Sequence, residues 1–155
     1  MSDRSLRIIV LNGVLIILAG MILAGFPLAF VVAKQVYGQA SPLAIAGDHR
    51  AWTMAHLEGL LNGLLVMALA GATRVGAGMA PGREAWLVPC LLVMGWGNLA
   101  ASILAPILGV RGMAFDAHPA NNLVTGIFMA ALVASFAAFW GVIRHLLTPG
   151  PAERT

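Results

Sequence analysis

Apolar residues run almost unbroken through four stretches of this chain, Ile8–Ala33, Ala51–Thr73, Ala85–Val110 and Pro119–Ile143, with polar residues gathered in short connections between them. A helix needs about 20 consecutive apolar residues to cross a hydrocarbon slab, and each stretch meets that length. Inside lipid the backbone must satisfy its own hydrogen bonds, so spans of this kind form helices. The pattern therefore predicts an all-α membrane protein, a single domain built as a four-transmembrane-helix bundle. Small residues interrupt the apolar runs at helical spacing: Gly59 and Gly63 in the second helix, and Gly126, Ala130, Ala134, Ala137 and Gly141 in the fourth. Such residues let helix backbones approach closely in a membrane. Pro27 predicts a kink near the outer end of the first helix, and Pro89, Gly95, Gly97 and Pro106 predict a bent third helix.

Composition agrees with that picture. Of 155 residues 60% are hydrophobic and 10% charged, far less charge than a soluble domain of this size carries. Arg4, Arg7, Arg74, Arg83, Arg144 and Arg154 fall on one side of the predicted spans, and Lys34, Arg50 and Arg111 on the other. The excess places both termini and the connection between the second and third helices in the cytoplasm. Topology thus accounts for the net charge of +3. A nucleic-acid surface would need a clustered basic face, and none is present. The first apolar run is too long for a signal-peptide core and has Phe26-Pro27 where small cleavage-site residues belong, so it reads as a retained helix. Cys90 is the single cysteine, which excludes an internal disulfide, a C-x-x-C-H haem attachment and an all-cysteine metal site.

The polar residues inside the spans are few, and three share the second helix: His56, Glu58 and Asn62. Ionisable groups at membrane depth are costly and mark functional sites by default. His56 reads two ways, as an interfacial histidine bonded to a carbonyl or water, or as a metal or haem ligand. Glu58 reads as a neutral acid bonded to a neighbouring helix, or as a proton donor or cofactor contact. At about 100° per residue, Glu58 and Asn62 share a face to within about 40°, whereas His56 points about 120° away from Asn62. One ligand within one protomer would not reach both faces; helices meeting at a shared interface would present His56 from one copy and Asn62 from the next. Asn98 and Trp96 on the third helix read as interhelical hydrogen-bonding groups, and His49, His118 and His145 as residues of the membrane surface. No serine–histidine–acid set, H-E-x-x-H helix or phosphate loop occurs, which argues against hydrolase and nucleotide-dependent activities.

Trp52-Thr53-Met54-Ala55-His56, continuing through Asn62-Gly63, resembles the second helix of bacterial styrene oxide isomerases, and Gly95-Trp96 followed by Asn98 resembles that family's G-W-x-N on the third helix. The resemblance implies a protein of the bacterial inner membrane that binds haem b and assembles as a homotrimer with haem between subunits. His56 would be the axial ligand of a ferric iron. Asn62 would hold a small apolar epoxide on the open side of a haem carried by a neighbouring copy. The implied reaction is a Meinwald rearrangement of an aryl epoxide such as styrene oxide to the aldehyde. The family pattern also carries a tyrosine shortly after G-W-x-N, near Ala101 and Ser102 here, and a small residue where Glu58 stands. Tyr37 is the only tyrosine of this chain, so the expectation is that Glu58, on the Asn62 face, supplies part of the missing hydrogen bonding. Two other readings stand beside this one. A haem protein for electron transfer or haem handling would need a second axial ligand, from a methionine such as Met94 or from a symmetry-related chain. A small transporter or scaffold subunit would use His56 and Glu58 only to bond helices together.

Overall fold

The computed structural model describes residues 1–38, 45–75 and 79–148; Pro42, residues 76–78 of the glycine-rich connection and Arg154 lie outside them. Four helices long and apolar enough to cross a membrane follow one another: α1 (Asp3–Tyr37), α2 (His49–Ala72), α3 (Pro81–Leu108) and α4 (Pro119–Leu146). No strand occurs among the described residues. The chain is a multi-pass membrane protein.

The helices outrun the apolar stretches at several ends because capping, not hydropathy, sets where a helix stops. The Ser2 side chain accepts from the Ser5 amide to start α1, and Asp48 accepts from Ala51 at 2.8 Å to start α2. Prolines open α3 and α4, where a missing N–H costs nothing. Gly38 and Gly109 close α1 and α3 in the left-handed conformation, at φ 62° and 64°. Lys34, placed by its charge in the first connection, therefore sits in the last turns of α1.

Consecutive helices pack side by side. α2 lies against both α1 and α3, α4 lies mainly against α3, and α2 and α4 touch only briefly. Burying leucine gains little when the alternative is lipid, so close approach must hold the bundle together. A Cβ on Gly20 would fall 2.6 Å from the Gly59 Cα, and one on Gly63 would fall 2.6 Å from the Gly13 carbonyl oxygen. The small residues of α2 thus bring the α1 and α2 backbones into direct contact. Ile9, Ile16, Val66, Leu87, Leu91 and Met94 fill the space between α1, α2 and α3. Leu11, Leu61, Val133 and Phe136 are among the apolar residues exposed on the outside.

Gly59→Val should lower the denaturation midpoint in detergent, at a cost of about 1–3 kcal/mol, because the α1 backbone leaves no room for the side chain. Gly71→Ala, whose Cβ would meet nothing within 4 Å, should leave the midpoint in place. Equal midpoints for the two variants would show that the Gly20–Gly59 contact does not hold the helices.

Two sequence expectations change, for α1 and for His145. The irregularity of α1 is not at Pro27 but just before it, in a π-helical turn over Gly20–Ala24. Proline offers no N–H to the carbonyl four residues back, and the preceding turn widens instead. The third helix is one continuous α-helix through Pro89 and Pro106, each of which removes one backbone hydrogen bond from it. His145 is not a surface anchor: it is 3% exposed, and its Nε2 lies 2.9 Å from the Thr73 carbonyl at the end of α2. Its partner is a helix-terminal carbonyl, which no linear pattern of the fourth helix reveals.

Candidate functional site

The first turns of α2 are pinned before any polar residue is reached. Trp52 is 3% exposed, packs with Ala24 and Ala55, and donates from its indole nitrogen to the Ala46 carbonyl at 2.7 Å. That anchor fixes the rotation of α2 about its axis, and with it the directions of His56, Glu58 and Asn62.

His56 turns toward α1. Its ring nitrogen Nδ1 lies 3.3 Å from the Gly20 carbonyl oxygen, and the ring packs where a Cβ on Gly25 would be 3.2 Å from Nδ1. Asn62 turns toward α3. Its amide nitrogen donates to the Glu58 backbone carbonyl at 2.9 Å and to the Glu58 carboxyl oxygen Oε2 at 2.5 Å. Its Oδ1 accepts from the Asn98 amide at 3.1 Å. The structure thus joins Asn98, Asn62 and Glu58 in one hydrogen-bonded line and keeps His56 out of it, on the other side of α2. Trp96 belongs to a separate contact, donating to Asn12 Oδ1 on α1 at 2.9 Å.

Glu58 lines a groove of about 870 Å³. The groove exists because α2 and α4 diverge, so α3 forms its back wall. Met54, Phe128, Met129 and Leu132 give it apolar sides, Asn98 and Ser102 reach it from α3, and Arg50 and Arg111 stand among its outer residues. The connection before α4 shapes the rim. Asn121, 7% exposed, accepts from the Gly112 amide at 2.8 Å and donates to the Ala114 carbonyl at 2.6 Å, and Asn122 accepts from the Asp116 amide at 2.8 Å. Gly112 sits at φ 64°, where a side chain would also strike Val124.

Asn62 itself is 7% exposed and is not among the groove-lining residues. Within one protomer it is a buried positioning group whose amide orients the Glu58 carboxyl, and Glu58 is the group that meets the groove. Ser102, not Ala101, lines the groove; Ala101 is fully buried. Met94 is also fully buried, in the core with Ile16 and Val66.

The bundle thus carries an acid held by the Asn62 amide beside an apolar groove, and a histidine on the reverse face of α2. The family model for styrene oxide isomerases matches residues 5–147, and the chain belongs to that family. Membership implies isomerase activity in general. Among curated proteins, none matches the chain.

Proposed function

We propose that the chain is a haem b-dependent epoxide isomerase, converting an aryl epoxide such as styrene oxide to the aldehyde, and that it works as a homotrimer with haem between subunits. The observation that carries this reading is the division of α2: His56 faces α1, while Glu58 faces the groove between α2, α3 and α4. A small molecule bound to a group on His56 would meet Glu58 only from a neighbouring copy. The excess of basic residues on the side of the termini supports a cytoplasmic location for both ends in the bacterial inner membrane.

The residues fit haem. Among the described residues no group of three or more His, Cys, Asp or Glu could hold a metal ion together. A metal at His56 would then need its other ligands from elsewhere, as a porphyrin supplies. His56 engages Nδ1 with a backbone carbonyl, which leaves Nε2 for iron. Haem iron held by one imidazole supplies Lewis acidity toward an epoxide oxygen. Glu58 accepts the Asn62 amide at Oε2 and lines the groove, where a proton on its carboxyl would bond an oxygen that gathers negative charge. Asn98, through Asn62, keeps that carboxyl from turning away. The walls of Met54, Phe128 and Leu132 exclude the water that would open an activated epoxide to a diol. The electron-transfer alternative loses Met94, which is sealed in the core, and would need its second ligand from a symmetry-related chain.

Detergent-purified protein is expected to show a Soret band that shifts when imidazole is added, and to turn styrene oxide into phenylacetaldehyde with no added reductant. A colourless preparation, a band indifferent to imidazole, or a diol product would each overturn the proposal.

A further inference from the structure

The π-helical turn of α1 lies against the histidine of α2, and the contact has a direction. Gly20 has only a carbonyl to offer, and a carbonyl oxygen accepts but never donates. A hydrogen bond over the 3.3 Å between that oxygen and His56 Nδ1 therefore requires the proton to be on Nδ1. A neutral imidazole carries one proton, so Nε2 is left with a bare lone pair. We propose that the π turn Gly20–Ala24 is a positioning element for His56, which uses the Gly20 carbonyl to hold the ring in its Nδ1–H tautomer and turn Nε2 into an available ligand. This rests on the haem reading for its purpose, while the geometry behind it does not.

Several features converge on that one carbonyl. Gly20 and Gly59 touch backbone to backbone, and His56 lies one helical turn before Gly59 on the same face. Without that close approach the α1 main chain would be out of the ring's reach. The widened turn then changes the carbonyl's own partner. Gly20 accepts from the Gly25 amide, five residues on, and keeps a second lone pair for the imidazole. Gly25 completes the seat: a Cβ there would lie 3.2 Å from Nδ1 and 3.4 Å from Cε1, tight enough to move the ring by a few tenths of an ångström. A contact of 3.3 Å is already at the long end for N–H···O, so that displacement would break it. Ligating histidines generally donate their other nitrogen to a carboxylate or carbonyl, which sets tautomer and ring orientation and raises ligand basicity. Here the partner is main chain, so no side-chain substitution deletes it directly.

Nitrogen-15 NMR of the full chain labelled at histidine, taken before haem loading and at a pH where the ring is neutral, reads the tautomer directly. The wild-type His56 signals, assigned by their loss in His56→Ala, should show a protonated Nδ1 and an unprotonated Nε2. In Gly25→Ala the two shifts should converge as the ring samples both tautomers, and ferrous haem-loaded protein should show a lower iron–histidine stretching frequency than wild type. Gly71→Ala should match wild type in both measurements. A wild-type ring protonated at Nε2, or Gly25→Ala shifts identical to wild type, overturns the proposal; should Gly25→Ala fail to fold, the wild-type tautomer alone decides. Absence of a Soret band on loading would overturn the haem reading instead and leave the nitrogen shifts to be read as before.

Discussion

His56→Ala should abolish the Soret band and, with it, isomerisation. The imidazole turns toward α1 with Nδ1 already committed to Gly20 and Nε2 left over for iron. Lewis-acid activation contributes several kcal/mol to such a reaction, and each 1.36 kcal/mol is tenfold in rate. Loss of the group should therefore reduce turnover by about a thousandfold or more. The fold should survive, because the α1–α2 seam is carried by Gly13, Gly20, Gly59 and Gly63. Free imidazole added with haem should restore part of the band by filling the space the ring leaves. Full retention of the Soret band in His56→Ala would move the axial ligand elsewhere and remove the basis of the two-faced site.

Glu58→Ala should leave the haem spectrum intact and lower kcat by about a hundredfold, the scale of losing one well-placed donor to a developing oxyanion. The separation of the two faces makes this a clean test, since Glu58 touches Asn62 and the groove but not His56. Glu58→Gln should recover part of the rate, because an amide still offers an N–H to the groove from the same position. Steady-state turnover of both variants, normalised to haem content, checks the expectation. Equal, wild-type rates in the two would make Glu58 a structural residue that merely closes the asparagine line.

Residues whose partners lie on the same helix were the legible ones. Four spans follow from apolar length alone, and the 100° rotation per residue was enough to pair Glu58 with Asn62 and to set His56 apart. The Glu58–Asn62 hydrogen bond and the opposed neighbours of His56 agree with that arithmetic. Gly59 and Gly63 also declared themselves, because a four-residue spacing of small residues has one common use in a membrane. What stayed hidden depends on tertiary contacts. The site of the α1 irregularity is settled by Pro27 and by α2 together, so the proline marked the neighbourhood but not the turn. His145 looked interfacial because Arg144 precedes it, yet its ring turns inward to a carbonyl of α2. The groove has no linear signature at all; it is the space left where α2 and α4 part. Only that space shows Asn62 to be sequestered behind Glu58.

The π turn also bears on how this helix can be compared with others. A ring closed five residues on holds one residue more than an α-helical turn, so α1 carries an extra residue within Gly20–Ala24 relative to a straight helix. Aligned without a gap to a relative whose first helix is straight, every position on one side of that turn would be paired about 100° out of phase. Lipid-facing and protein-facing residues would trade places in the comparison, and Gly20 or Gly25 would be scored against a residue doing another job. A single-residue gap inside that turn restores the phase on both sides.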